Sequence, residues 1–169
     1  MASRTGIALG TNVGNRLANL REARDLLVNL MPPGTTYHQS GIYQSEPVDC
    51  PPNSPDLYNA VIEIDFVGQP HDLLKATQGI EWKLGRTTSA VRNAPRPIDL
   101  DILYFDNLVM DADILTLPHP RLTDRRFVLK PLADIHPHLI LPGDETTVGE
   151  HLRKLDSEET EPILIQTAW

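Results

Sequence analysis

The spacing of apolar positions predicts a strand and then a helix in the first 34 residues. Residues 5–9 form a short apolar run, which is typical of a buried strand, and Gly10 then marks a turn. Leucine and alanine recur every three or four residues from Leu17 to Leu30, the period of an amphipathic helix. Asn15 is a suitable N-cap, and the Pro-Pro-Gly sequence at 32–34 ends the helix.

The next 70 residues repeat this alternation of periods. Segments 36–44 and 57–66 are rich in β-forming residues, and in the second one Ala60, Ile62, Ile64 and Phe66 alternate with Val61, Glu63 and Asp65. A helical stripe follows Pro70 and stops at Gly85, which suits a helix end because glycine accepts positive φ. Residues 98–105 then form another strand.

The order strand, helix, strand, strand, helix, strand predicts an α+β, ferredoxin-like βαββαβ sandwich, a mainly antiparallel sheet with helices on one face. A less regular extension follows residue 107. In it we expect helices near 126–135 and 147–155 and an edge strand at 163–166. The whole chain, 1–169, is expected to be a single domain with an acidic C-terminal segment at about 143–161.

Composition and charge narrow the class of protein. The 169 residues carry a net charge of -8 and one cysteine, so neither non-specific nucleic-acid binding nor a disulfide framework is indicated. No apolar run approaches the ~20 residues of a membrane span. We therefore expect a cytoplasmic protein with no nucleic-acid or membrane partner, and a monomer rather than an assembly.

Two stretches depart from this acidic background. Residues 85–96 contain three arginines and no acid, and residues 119–131 contain three arginines and a lysine against one aspartate. Locally basic loops in an acidic chain favour a small anionic ligand over a polymer, although solvated surface charge is the alternative.

The residues with the clearest chemistry are Asp99 and Asp101, which flank Leu100 in a predicted strand. Alternate residues of a strand share a face, so both carboxylates point the same way, about 6.6 Å apart at Cβ. Two converging carboxylates repel each other by roughly 1–4 kcal/mol, and a divalent cation removes that conflict. Oxygen ligands of this kind suit Mg²⁺, whereas two solvated surface aspartates are the alternative.

The arginines around the two aspartates favour a ligand that contains phosphate groups as well as Mg²⁺. Guanidinium groups bind phosphate oxygens in a bidentate way, and carboxylates hold Mg²⁺, so together they provide what a magnesium–nucleoside triphosphate requires. Neither a Walker A loop nor a GxGxxG fingerprint is present. The phosphates must therefore be held by side chains.

Several ordered motifs resemble one enzyme family closely, the 6-hydroxymethyl-7,8-dihydropterin pyrophosphokinases of folate biosynthesis. The motifs cover most of the chain and are IALGTNVGN at 7–15, YQSEPV at 43–48, LYNA at 57–60, RNAPRPIDLD at 92–101, LPHPR at 117–121, RRFVL at 125–129 and PL at 131–132. The resemblance implies transfer of pyrophosphate from ATP to the hydroxymethyl group of the pterin, with release of AMP.

The resemblance also implies roles for individual residues. It makes Asp99 and Asp101 the ligands of two Mg²⁺ ions and, with Arg86 and Arg96, the catalytic set. The residues it assigns to ATP, the co-substrate, are Gln78, Glu81, Arg86, Arg96, Ile102, Thr116, His119 and Arg125. Those it assigns to the pterin are Ser45, Pro47, Val48, Leu57, Asn59 and Phe127. The partners implied are these two small-molecule substrates.

The sequence departs from the family pattern at a few of these motifs. Leu57 stands where an aromatic residue commonly faces the Phe127 position. Asn93, in the basic loop at 85–96, stands where the family often has an aromatic residue. Ala94 occupies a position where glycine is common, and Thr88 and Ile114 positions where some members have arginine. The departures leave the aspartates, Arg86 and Arg96 unchanged.

Two other classes of function remain open on the sequence alone. A nucleotidyltransferase with the same D-x-D pair would release pyrophosphate and retain the AMP moiety. A ferredoxin-like regulatory module would bind a small anion without consuming ATP. The products formed from ATP distinguish the three.

Overall fold

The computed structural model describes residues 1–47, 51–85, 97–156 and 160–169. Val48, Arg86 and Arg96, which are predicted to contact the substrates, lie outside these ranges. The elements are β1 (Ala2–Thr11), α1 (Arg16–Val28), β2 (His38–Gln39), β3 (Ile42–Ser45), β4 (Leu57–Val67), α2 (Pro70–Lys83), β5 (Asp99–Phe105), β6 (Met110–Asp111), β7 (Thr116–Leu117), a 3₁₀ turn (Leu122–Asp124), α3 (Arg126–Ile135), α4 (Val148–Lys154) and β8 (Ile163–Gln166).

The main sheet has the order β5-β1-β4-β3-β8, with β2 paired beside β3 on β4. All of its pairings are antiparallel. β1 and β4 are the central strands, and β5 and β8 are the outer ones. This confirms the predicted ferredoxin-like arrangement and the predicted edge strand at 163–166. A small hairpin of β6 and β7, which the sequence pattern did not predict, follows β5.

The first face of the sheet packs against α1 and α2. Its core includes Ile7 and Leu9 of β1, Ile62 of β4, and Leu20 and Leu73 of the two helices, each at most 1% exposed. α1 begins where predicted, because the Asn15 side chain accepts a hydrogen bond from the Ala18 N–H at 3.1 Å. Apolar spacing in the sequence therefore located this core correctly.

Helices also cover the second face, so the prediction of helices on one face only is wrong. A second core joins Val61 and Leu103 of the sheet to Leu129 and Leu132 of α3 and Val148 of α4. The physical reason lies in the strands, because both faces of β4 are apolar over Ala60–Ile62. The extension after residue 107 supplies the helices that this face requires.

Two strand boundaries also differ from the predicted ones. β1 continues through Gly10 to Thr11, because that part of the strand is paired on both sides and the glycine makes no turn there. The segment predicted as one strand at 36–44 divides into β2 and β3 at Ser40. At that point the Val61 N–H donates to Ser40 Oγ at 2.9 Å rather than to a backbone carbonyl.

Polar contacts attach α3 to the second face. Asp134 accepts hydrogen bonds from the Tyr43 hydroxyl at 2.7 Å and the Gly41 N–H at 3.3 Å. Burial and the Asp134 carboxylate raise the pKa of Tyr43, so its hydroxyl stays a proton donor. Glu63 of β4, only 2% exposed, contacts Arg4 Nε at 2.9 Å and the ring of His136 at 2.8 Å, which ties the end of α3 to the sheet.

Within the described ranges, no helix combines the length and the apolar content that crossing a bilayer would demand.

Gly6→Ala is expected to destabilise the fold by about 1–3 kcal/mol, the usual cost of overpacking. A Cβ atom at Gly6 would lie 2.4 Å from the ring of Tyr104, whose hydroxyl is held by the buried Glu63 carboxylate. Urea unfolding measures the change. Gly79→Ala in α2 is the matched control, since nothing lies within 4 Å of its Cβ position. Equal stability of the two variants would contradict the prediction.

Candidate active site

One row of residues crosses the second face near the end of β1. In the register of the sheet, Gly10 lies opposite Asp99 of β5 on one side and opposite Asn59 of β4 on the other. Asn59 in turn lies opposite Tyr43 of β3. Strands two apart in a sheet are separated by about 9.5 Å. The register therefore places Asp99, a predicted metal ligand, about 9.5 Å from Asn59, a predicted pterin-binding residue, which is about the length of a small molecule.

The two aspartates have the orientation predicted from the strand period. Asp99 and Asp101 are half-buried, while Leu100 and Ile102 beside them are 6% and 3% exposed in the first-face core. Asp101 lies opposite Ala8, and Asp99 opposite Gly10. Because small residues face both carboxylates, the neighbouring strand leaves space next to them.

Glu81 of α2 holds the outer edge of the aspartate strand. It is 6% exposed, and its Oε2 accepts the Leu100 N–H at 2.9 Å. In an antiparallel pair, backbone groups point alternately toward and away from the neighbouring strand. The Leu100 N–H points away from β1, and a carboxylate takes the place that another strand would have. Glu81, predicted as an ATP contact, thus bonds the backbone between the two aspartates.

His119 lies beside the aspartates on the loop that follows β7. Its N–H donates to the Leu103 carbonyl of β5 at 2.8 Å. Burial lowers the pKa of His119, with Arg125 and Arg121 lowering it further and Asp99 opposing them. The ring is therefore neutral at pH 7. The Arg121 N–H donates to its Nδ1 at 3.2 Å, so the ring proton resides on Nε2.

The predicted pterin residues Asn59, Ser45 and Leu57 are neighbours on β3 and β4. The Asn59 Nδ2 donates to Ser45 Oγ at 2.7 Å, and both side chains are buried. This bond fixes the Asn59 carboxamide and aims its oxygen toward Gly10, since Oδ1 would be 3.3 Å from a Cβ atom there. Leu57 lies opposite Ser45 on the adjoining strand.

Phe127 and Arg125 come from the start of α3, which packs on the same face. Phe127 is half-buried against the second core, and the Arg125 guanidinium lies 5.5 Å from the centre of its ring. A guanidinium within about 6 Å of a ring face is attracted to it. Arg125 therefore lies near both Phe127, the predicted pterin-stacking residue, and His119, whose pKa it lowers.

Four of the remaining predicted residues are described by the structure, and three lie outside the described ranges. Gln78 is exposed on α2, one turn before Glu81, and Thr116 of β7 pairs with Asp111. Ile102 is buried in the first-face core, with its side chain directed away from the aspartates. Pro47 is half-buried at the end of a described segment. The assignments of Val48, Arg86 and Arg96 fall outside the described residues.

The sequence interpretation missed one member of the row, Gly10. The sequence pattern predicts a turn at this glycine. The available signal was the β-branched Thr11, which continues the alternation of Ile7 and Leu9 and is buried with them on the first face. Among the described residues no three His, Cys, Asp or Glu side chains form a metal-binding cluster.

The chain is similar to proteins of one family. The family model for 7,8-dihydro-6-hydroxymethylpterin-pyrophosphokinase (HPPK) matches residues 6–137. The 2-amino-4-hydroxy-6-hydroxymethyldihydropteridine pyrophosphokinase of Bacillus subtilis is 43% identical over 129 residues, which cover 76% of this chain and 75% of that protein. The mitochondrial folate synthesis bifunctional protein of Pisum sativum is 42% identical over 133 residues, 76% of this chain but 24% of that protein.

Solved structures show the same fold. Wild-type HPPK-DHPS of Plasmodium falciparum with pteroate matches with a TM-score of 0.71 at 15% identity, over 91% of this chain and 44% of that one. The chain spans about a quarter of the length of the bifunctional plant relatives and less than half of this parasite protein. On the family model and the Bacillus relative together, this chain belongs to the HPPK family.

Proposed function

We propose that the protein transfers pyrophosphate from ATP to the hydroxymethyl oxygen of 6-hydroxymethyl-7,8-dihydropterin and releases AMP. One observation carries the proposal: the sheet register aligns Asp99, Gly10 and the fixed Asn59 carboxamide in a single row, and Asp101 lies on the same face, opposite Ala8. A pterin is a flat heterocycle with an amide-like edge and an alcohol at the opposite side. Asn59 can bind that edge while the alcohol points toward Asp99.

The donor set of the site fits magnesium. Asp99 and Asp101 offer only carboxylate oxygens, and a pair without a third protein ligand suits an ion that keeps waters and substrate phosphates. When bound there, Mg²⁺ would neutralise phosphate charge and lower the pKa of the attacking alcohol. The proposal includes two such ions, both held through these aspartates.

The nucleotide is proposed to lie across the outer edge of β5. Glu81 and Gln78 of α2 face this edge, and His119 and Arg125 approach from the second face. Ile102 is two residues after Leu100 in β5, so its backbone N–H and C=O groups also point away from β1. An adenine can therefore bond the strand edge through Ile102 while the phosphates reach the aspartates.

His119 acts in this arrangement as a neutral donor. Its Nδ1 accepts the Arg121 N–H, so Nε2–H is the group directed to a phosphate oxygen. Arg125 adds a permanent positive charge beside it. Preorganised donors of this kind stabilise charge that moves onto phosphate oxygens in the transition state. Arg86 and Arg96 have the same role in the proposal, on the strength of the sequence motif.

The proposal also includes a monomeric protein in the cytoplasm. The acidic net charge of -8 supports the solubility of single copies. Gel filtration combined with light scattering measures the oligomeric state.

The decisive experiment incubates the protein with ATP, Mg²⁺ and the dihydropterin alcohol and separates the nucleotide products. Release of AMP with a pyrophosphorylated pterin supports the proposal. Release of pyrophosphate would instead indicate a nucleotidyltransferase, and binding without ATP consumption a regulatory module.

Asp99→Asn and Asp101→Asn are each expected to reduce kcat by at least about 100-fold, the scale for loss of one electrostatic catalytic group. The amide keeps the shape of the side chain but removes the charge that holds Mg²⁺, so circular dichroism and melting temperature should stay near wild type. Asp25→Asn, an exposed carboxylate on α1, is the matched control. Near-normal turnover in either strand variant would refute the metal-binding role.

His119 is expected to titrate below its ordinary pKa of 6.5, because burial and two arginines disfavour the imidazolium. Since the unfolded chain binds that proton more readily, this group should make stability fall as pH drops below 6.5. Proton NMR without Mg²⁺ measures the titration. Asp99→Asn removes the charge that raises the pKa of His119, so we expect this pKa to fall further. An unchanged pKa would show that Asp99 and His119 do not interact.

Glu81→Leu is expected to lower kcat, because it leaves the Leu100 N–H without its acceptor and loosens the strand that carries both aspartates. Glu81→Gln retains an oxygen acceptor and should recover most of the lost rate. A role limited to charge would make the two variants equally defective. Steady-state kinetics with both substrates tests this, with Mg²⁺ affinity as the second measurement.

A further inference from the structure

Gly10 is a glycine that its backbone conformation does not require. The described glycines with positive φ are Gly14, Gly34, Gly68, Gly85 and Gly143. Gly10 instead lies in the extended strand β1, where any residue can be accommodated. Glycine in a strand interior weakens the strand and often marks the close approach of a ligand or another backbone.

Packing does not require this glycine either. At Gly6 a Cβ atom would lie 2.4 Å from the ring of the buried Tyr104, so that position excludes a side chain. At Gly10 the nearest atoms are Asn59 Oδ1 at 3.3 Å and Leu57 Cδ2 at 4.0 Å. A methyl group would fit there after a shift of a few tenths of an ångström.

The position of Gly10 between Asn59 and Asp99 gives a reason for the absence of a side chain. Gly10 is the residue between Asp99 and Asn59, and it is half-exposed although strands flank it on both sides. A substrate bonded to Asn59 and reacting beside Asp99 must cross the backbone of Gly10. The part of the substrate that makes this crossing is the carbon that carries its alcohol.

We propose that Gly10 is a specificity-determining residue: its absent side chain leaves the space in which the exocyclic carbon of the pterin alcohol lies, between the Asn59 carboxamide and the aspartate pair. The inference rests on the proposed function, and it assigns to β1 a role in selecting the substrate. A Cβ atom at this position would oppose the exocyclic carbon while leaving the pterin ring beside Asn59 and Leu57.

The alternative is that Gly10 serves only the position of Asn59. In that case an added methyl group would push the carboxamide away from Ser45 and weaken every pterin equally. The two explanations therefore differ in their dependence on the exocyclic group of the ligand, which allows a direct test.

The test measures fluorescence-monitored binding of two ligands to the wild type and to Gly10→Ala, with Mg²⁺ and a non-hydrolysable ATP analogue present. The ligands are 6-hydroxymethyl-7,8-dihydropterin and 7,8-dihydropterin, which lacks the exocyclic carbon. We expect Gly10→Ala to weaken the alcohol by at least about tenfold, the effect of one crowded carbon, and 7,8-dihydropterin by less than about twofold. Gly79→Ala is the matched control and should change neither affinity.

Equal loss for both ligands, or no loss for either, would overturn the proposal. Failure of the wild type to release AMP would overturn the proposed function, while the difference in binding between the ligands is read independently of turnover.

A second measurement uses only the wild type and so does not depend on folding of the variant. A dihydropterin with one more methyl group on its exocyclic carbon should bind at least about tenfold more weakly than the natural alcohol. Equal affinity would contradict the proposal.

Discussion

The pairing of β1 with β4 on one side and β5 on the other is the constraint on which the site depends. The side-chain period of a strand is two, so a slip of one residue reverses its faces. Such a slip in β5 would bury Asp99 and Asp101 and expose Leu100 and Ile102. The apolar residues of β5, at most 6% exposed, therefore fix the direction of the carboxylates. The packing of the core and the direction of the two carboxylates share one cause.

The helices of the second face have a function beyond covering apolar surface. α3 contributes Phe127 at its start, and Asp134 near its end is bonded to Tyr43 and Gly41 of the sheet. His136, which follows the helix, contacts the buried Glu63. These contacts hold the C-terminal part of α3 against the sheet.

The sequence predicted the elements well, because periodicity reports burial directly. Both helices of the first face, the aspartate strand and α3 lie where the spacing placed them. Several features were not predicted. The second helical layer depends on which face a distant segment covers, the division at Ser40 depends on a single side-chain hydrogen bond, and the continuation of β1 through Gly10 depends on pairing with two remote strands. Each is a long-range property that local spacing does not encode. The same holds for the contact between Glu81 and Leu100.

The order of the strands has a consequence for synthesis on the ribosome. The central strands β1, β3 and β4 are complete once residue 67 has emerged, but the outer strands come from residues 99–105 and 163–166. A nascent chain therefore carries the middle of its sheet with both margins unpaired until much later. Unpaired margins recruit other extended chains, so the interval between these segments is the period in which a translating chain most needs protection by chaperones.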